Sequence, residues 1–500
     1  MRLAILAVVA AGCGGRASSP AASAGATAPA ALPFAAARWV PDRPRYVLAS
    51  RNLGDAQRAV REAIDFLAVA TGHDLRDAVD LSVALLGVDA LHADPLAVIG
   101  VDPAGGWAVF SDEMSPTIVV HLAAPAQAAA FLARQRAHLA TRAATVDGVE
   151  VVSAALPAGL AASWAIDGDW LWLHLAMPGA PDDGRWFAAS HGRHEARWTG
   201  DWAWAQRAAG TAANLVGLLD LHGAVAGAVA RLPEAVACAR LAEPVGKASI
   251  ALEGDERHVS ARIALDLGPD PAAAERLRGL LLRPPSGWDA TAARAAIAVA
   301  WNLDLAAARA WLAPCLSALG APGALDDTGI RAARALLVDF DPGALSGSGA
   351  IALDVTSTAF LERQLARIPL RKTLERARAF GPYRGFSIAI PFGPAIEYVL
   401  DPRSQIALAA VGEGLLAQLV APAPGRAGVP PIFAIDLAPP AMSVDAWQAA
   451  LHAITEQRLD GSPGPAARRI AAHLMAWRDG HLAVTAESGA IVLQVSGNRR

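Results

Sequence analysis

From residue 38 onward one pattern of apolar and polar positions keeps returning. A short apolar run stops at a polar residue, often with Leu or Val behind it, and an Ala-, Leu- and Arg-rich stretch follows. The first copies are Y-V-L-A-S-R-N-L-G-D-A-Q-R-A-V-R from Tyr46 and T-I-V-V-H-L-A-A-P-A-Q-A-A-A-F-L from Thr117. The pattern returns from Asn214, Ala296, Ala350 and Ile432. Short apolar runs read as strands and the longer stretches as helices. Six copies predict an architecture made by duplication. Asn52, Asp220, Asp304, Asp354 and Asp436 stand at the stops. An Asx side chain at a strand-to-helix junction caps the first helical turn, worth about 1 kcal/mol, and that is the role expected of them.

Hairpin signals lie between the copies. Asp167-Gly168, Gly254-Asp255 and Asp479-Gly480 each sit between strand-like runs, and such dipeptides favour tight turns. Strands joined by tight turns are antiparallel. The expected fold class is α+β: duplicated strand–helix–meander units, mainly antiparallel sheets with helices on one face. At 500 residues the chain is too long for one core. Three modules are expected, at 38–205, 206–340 and 341–500. The second boundary is the less sharply marked, because A-L-L-V-D-F-D-P-G-A-L from Ala335 reads as a strand that crosses it.

The first residues carry a different pattern. M-R-L-A-I-L-A-V-V-A-A-G-C has one basic residue, an apolar run too short to span a bilayer, and small residues before Cys13. It has the shape of an export signal over residues 1–12. Residues 13–37 then form an anchor and a tether: the Gly/Ala/Ser/Pro-rich stretch 14–37 buries too little apolar surface to offset its ordering entropy. The other long apolar stretch, 208–230, carries Asp220 and His222 near its centre, and an Asp there costs about 2.5–3.5 kcal/mol on insertion scales. It reads as a strand followed by a helix. One anchor and no transmembrane helix are expected.

A-A-G-C (Ala10 to Cys13) resembles the lipobox of bacterial lipoproteins, departing from it at Ala10, where Leu is usual. That resemblance implies lipidation of Cys13, and Gly14 in place of Asp implies sorting to the outer membrane, with the body facing the periplasm. The segments R-W-V-P-D-R-P-R-Y-V-L-A-S-R-N from Arg38, V-I-G-V-D-P-A-G-G-W-A-V-F from Val98, P-T-I-V-V-H-L from Pro116 and S-W-A-I-D-G-D-W-L from Ser163 resemble large uncharacterised bacterial lipoproteins built on a repeated domain of unknown function. The resemblance covers most of 38–205 and, more loosely, the remainder. It implies an α+β fold and a cell-envelope address, and it brings no catalytic residues.

Charge and cysteine content narrow the partners. The chain has 43 basic and 47 acidic residues, a formal charge of −4. No basic patch of the kind that neutralises phosphates stands out, so no nucleic-acid partner is expected. With Cys13 assigned to lipid, Cys238 and Cys315 remain. Each falls near the end of a helix in consecutive copies of the repeat, and in an oxidising compartment such a pair can bridge; two buried thiols on separate helices are the equal alternative.

Signals for chemistry are sparse. V-G-K-A from Val245 lacks the first glycine of a phosphate loop, and L-S-G-S-G-A from Leu345 has the wrong spacing for a nucleophile elbow. His191 and His194 stand three apart in H-G-R-H-E but have no identifiable third ligand, so no metal site is expected. No catalytic residue and no cofactor emerges. Seven of the fourteen tryptophans fall between residues 164 and 204. Trp170, Trp172 and His174 alternate with Leu171, Leu173 and Leu175, which puts an aromatic face opposite an aliphatic one. Either Trp198 and Trp202 cover that aromatic face, or it is exposed and binds something flat or apolar. The preferred expectation is a non-enzymatic envelope lipoprotein that binds an envelope protein, a glycan or a lipid. A hydrolase with dispersed catalytic residues and a lipid carrier are the alternatives.

Overall fold

The computed structural model describes residues 34–41, 44–71, 76, 79–80, 83, 89–111, 115–156, 159–176, 184–191, 213–221, 245–255, 257–268, 270, 272–318, 329–342, 346–367, 371–390, 393–422, 428–456 and 463–500. They fall into two compact units. The first comprises 34–221 with 247–264, and the second comprises 245–246 with 265–500.

The described strands of the first unit are β1 (Tyr46–Ser50), β2 (Trp107–Ser111), β3 (Thr117–His121), β4 (Thr141–Val146), β5 (Val149–Ala155), β6 (Ala161–Asp167), β7 (Trp170–Ala176), β8 (Leu215–Asp220), β9 (Lys247–Gly254) and β10 (His258–Asp266). They lie in the spatial order 4-5-6-7-3-2-1-8-9-10, and the pairs from β4 through to β9 are antiparallel. Two apolar clusters form on this sheet. One gathers Val47, Ala49, Phe110, Val119, Ala165, Trp170 and Trp172 under residues 34–40 and the helix Arg185–His191. The other gathers Val120, Leu122, Val152, Trp164 and Leu171 under the helices Ala93–Val98 and Pro125–Arg136. Neighbours such as Trp164 and Ala165, or Val119 and Val120, point to opposite clusters, as strand geometry requires. Both faces are therefore covered, which corrects the expectation of helices on one face. The cause is that these strands are apolar at odd and even positions alike.

The second unit contains β11 (Ile297–Trp301), β12 (Ile330–Asp341), β13 (Ser346–Val355), β14 (Glu375–Phe380), β15 (Tyr383–Ile388), β16 (Ile396–Asp401), β17 (Ile406–Val411), β18 (Phe433–Leu437), β19 (Trp477–Glu487) and β20 (Ala490–Arg499). Their order is 14-15-16-17-13-12-11-18-19-20, with every one of these neighbours antiparallel. With β11 counted as the first strand, this is the order of the first unit. One cluster packs small strand residues (Ala298, Ala300, Ala350, Ala352, Ala410) under Trp288 and Leu415, Leu416 and Leu419. Gly287 is needed for that approach, since a Cβ there would lie 1.8 Å from the Gln418 carbonyl oxygen. A second cluster joins Leu277, Leu303, Ala308 and Ile432.

The six expected strand segments are β1, β3, β8, β11, β13 and β18. Helices follow β1, β3, β11 and β13 (Leu53–Thr71, Pro125–Arg136, Leu305–Ala318 and Ala359–Leu365), and a 3-10 turn with the helix Val444–Glu456 follows β18. The stretch after Leu221 lies outside the described residues. A boundary at 205 would part β1 from its neighbour β8, and one at 340 falls inside β12. The described residues thus divide into two units at neither of the expected places. The hairpins at Asp167-Gly168 and Gly254-Asp255 are present. Asp479-Gly480 instead lies within β19, held by β18 on one side and β20 on the other. The turn falls later, at Gly489, whose φ of 72° suits glycine.

Candidate functional site

Trp170, Trp172 and His174 do share one face of β7, and all three are buried, at 4%, 0% and 8% exposure. Residues 34–40 and the helix Arg185–His191 cover them. Trp172 packs edge-on against Trp39 at 5.0 Å and Phe187 at 5.3 Å between ring centroids. Its Nε1 donates to Ser190 Oγ at 3.1 Å, and Ser190 in turn donates to the Trp39 carbonyl at 2.8 Å. His174 stacks on Trp186 at 4.7 Å and hydrogen-bonds Thr117 through Nδ1 at 2.9 Å. An exposed binding face is thus replaced by a packed aromatic core. Trp198 and Trp202 lie outside the described residues.

The turn between β6 and β7 sets two histidines. Asp169 Oδ2 meets His121 Nε2 at 3.0 Å, while Asp102 Oδ2 meets His121 Nδ1 at 2.9 Å. On the other side of Gly168, Asp167 Oδ2 meets His191 Nε2 at 2.9 Å. His121 ends β3 and leans edge-on against Trp170 at 5.2 Å. Gly105 lets the loop pass close to it, because a Cβ there would come within 2.7 Å of the His121 Cβ. Both His121 nitrogens face carboxylates, so neither is turned toward a hydroxyl or thiol nucleophile. This arrangement fastens a turn to a strand end; it does not make a general base.

The second unit holds a denser polar network. Arg334 on β12, 2% exposed, donates Nη1 to Asp354 Oδ2 on β13 at 2.7 Å, Nε to Asn302 Oδ1 at 2.6 Å and Nη2 to the Leu282 carbonyl at 2.9 Å. Burial pushes its guanidinium pKa down, and the Asp354 carboxylate partly opposes that. Arg331 donates twice to Asp304 Oδ2 and once to Gln405. Asp304 Oδ1 accepts from Ala306 N and Ala307 N at 3.0 and 3.2 Å. Burial alone would raise the Asp304 carboxyl; the hydrogen bonds from Arg331 and those two amides outweigh it and hold it below the usual range. Asn52 caps its helix likewise, through Asp55 N at 3.1 Å. Asp354 and Asp436 are not caps: they pair with Arg334 and with His481 Nδ1.

A cleft of about 270 Å³ opens in the same unit, lined by Thr291, Arg294, Ser348, Glu413 and Gln418 together with Val338 and Leu415. Arg294 already binds Gln418 Oε1 at 2.6 Å. The near-neutral total charge conceals one local feature of this unit. Residues 363–384 contain seven basic residues and one acid, Glu375. A charge count over a short window would have found it.

Cys13, Cys238 and His194 lie outside the described residues. Cys315, in the helix Leu305–Ala318, is disulfide-bonded. Among the described residues no group of three or more His, Cys, Asp or Glu side chains could hold a metal ion, and no helix is long and apolar enough to cross a membrane.

No protein-family model and no curated protein matches the chain. Crystal forms IV, III and I of TP0453 align with 48–49% of this chain and 83–87% of that one, at 7–8% identity and a TM-score of 0.27. A likeness of that size says nothing about fold or function.

Proposed function

We propose that this chain is a lipid-anchored protein of the bacterial outer membrane, facing the periplasm, whose body is a non-enzymatic binding or scaffold module for an envelope protein, a glycan or a lipid. The observation that carries the reading is the run ending in A-A-G-C, which has the form of a lipoprotein export signal. The engagement of both His121 nitrogens by Asp102 and Asp169 supports a structural role for that cluster. The two units are the products of a duplication. The matching strand orders support this, with the six strand segments being the first, third and eighth strands along the chain in each unit and holding the seventh, fifth and eighth places of its order. Cys238 is the partner of the disulfide-bonded Cys315.

Fractionation of the native host tests the anchor. The intact chain is expected with the outer membrane, and Cys13→Ser is expected to be released from the acylated pool. Equal behaviour of the two in the soluble periplasm would overturn the reading.

A further inference from the structure

We propose that the edge hairpin of the second unit, β14–β15 with the short helix Arg371–Leu374 before it, docks on anionic phospholipid headgroups. Strand β14 ends the order, with β15 as its neighbour. Lys372, Arg376 and Arg384 are exposed and have no carboxylate partner among the described residues. Glu375, the one acid between 363 and 384, is taken by Arg371 at 2.9 Å. Phe386 and Ile390, 38% and 40% exposed, stand on the same hairpin or just beyond it.

A charged edge strand also guards against sheet-to-sheet association, and two arginines would suffice for that. Edge protection needs neither the surplus of positive charge nor the exposed Phe386. The hairpin in the same place of the first unit, β4–β5, shows the contrast: residues 141–155 carry Arg142 against Asp147 and Glu150. Arg384 shares a face of β15 with the exposed Phe386, while Arg376 stands on the other face of the edge strand. Basic side chains set along an edge with an exposed aromatic side chain are the composition that binds an anionic membrane interface. A nucleic acid would use the charges but not the aliphatic Ile390. The choice of a membrane rests on the anchored reading in one respect: a flexible tether over 14–37 has a root-mean-square span of about 25–30 Å, which holds the body near the bilayer.

The test is co-sedimentation of the full chain carrying Cys13→Ser with vesicles of phosphatidylcholine alone or mixed with phosphatidylglycerol. Binding is expected to be stronger to the anionic vesicles and to fall steeply between about 50 and 500 mM salt as charges are screened. Lys372→Glu, Arg376→Glu and Arg384→Glu together are expected to weaken the anion-dependent part by at least about a hundredfold, on the order of fivefold for each positive charge lost. Arg142→Glu on the matching hairpin is expected to leave it unchanged. Should the triple variant melt early, Arg376→Gln with Arg384→Gln is expected to lose about 25-fold on the same scale. Equal binding to both vesicle types, unchanged binding by the variants, or tighter binding to a single-stranded oligonucleotide than to the anionic vesicles would overturn the proposal. An unacylated native N-terminus would remove the anchor and leave the vesicle result to stand or fall by itself.

Discussion

Arg334 and Asp354 face each other across β12 and β13 at 2.7 Å, with the arginine side chain 1% exposed and the aspartate 18%. Breaking such a pair from one side leaves a buried charge uncompensated, which costs about 3–5 kcal/mol. Asp354→Ala is therefore expected to destabilise the second unit by that amount in urea unfolding. Arg334→Met with Asp354→Leu is expected to cost clearly less than the two single changes summed. Additive losses would show that the pair is not coupled.

Asp304 combines a helix cap with two bonds from Arg331. Asp304→Ala removes both and is expected to cost about 2–3 kcal/mol. A depressed folded-state carboxyl stabilises the fold above the unfolded value, near 3.9, and that contribution is lost as pH falls through the folded value. The stability gap between the parent and Asp304→Asn should thus be full at neutral pH and close below about pH 4. A gap that does not change with pH would contradict the assignment.

Trp172 fills the aromatic core of the first unit at 0% exposure. Trp172→Ala is expected to cost about 3–5 kcal/mol. His121→Gln, removing two partly solvated contacts to carboxylates, should cost no more than about 1 kcal/mol. A larger loss at His121 than at Trp172, read by thermal unfolding, would reverse the roles given to them.

Much of this layout was legible because its signals are local. The apolar runs at Tyr46, Thr117, Ile297 and Phe433 became strands followed by helices, and Asn52 and Asp304 became caps. What was not legible depends on distant pairing. β8 pairs with β1 from about 170 residues away, so no local break marks the end of a unit near 205. Asp479-Gly480 has the letters of a turn, but its neighbours on β18 and β20 hold it extended. His121 finds Asp102 and Asp169 at separations of 19 and 48 residues, and carries no motif. The basic hairpin was hidden by a total charge that averages over the whole chain.

Joining Cys238 to Cys315 closes a long loop, which the chain-entropy model values at about 4–5 kcal/mol. The unreduced, denatured protein is expected to show no free thiol at either position. Cys238→Ser is then expected to expose one titratable thiol at Cys315 and to lower the unfolding midpoint; two free thiols in the parent would contradict the pairing.

The central claim is the anchor, and the mass of the mature N-terminus from the native host tests it most directly. A chain beginning at Cys13, carrying acyl chains and lacking residues 1–12, is expected. An unmodified Met1, or cleavage at any other position, would contradict it.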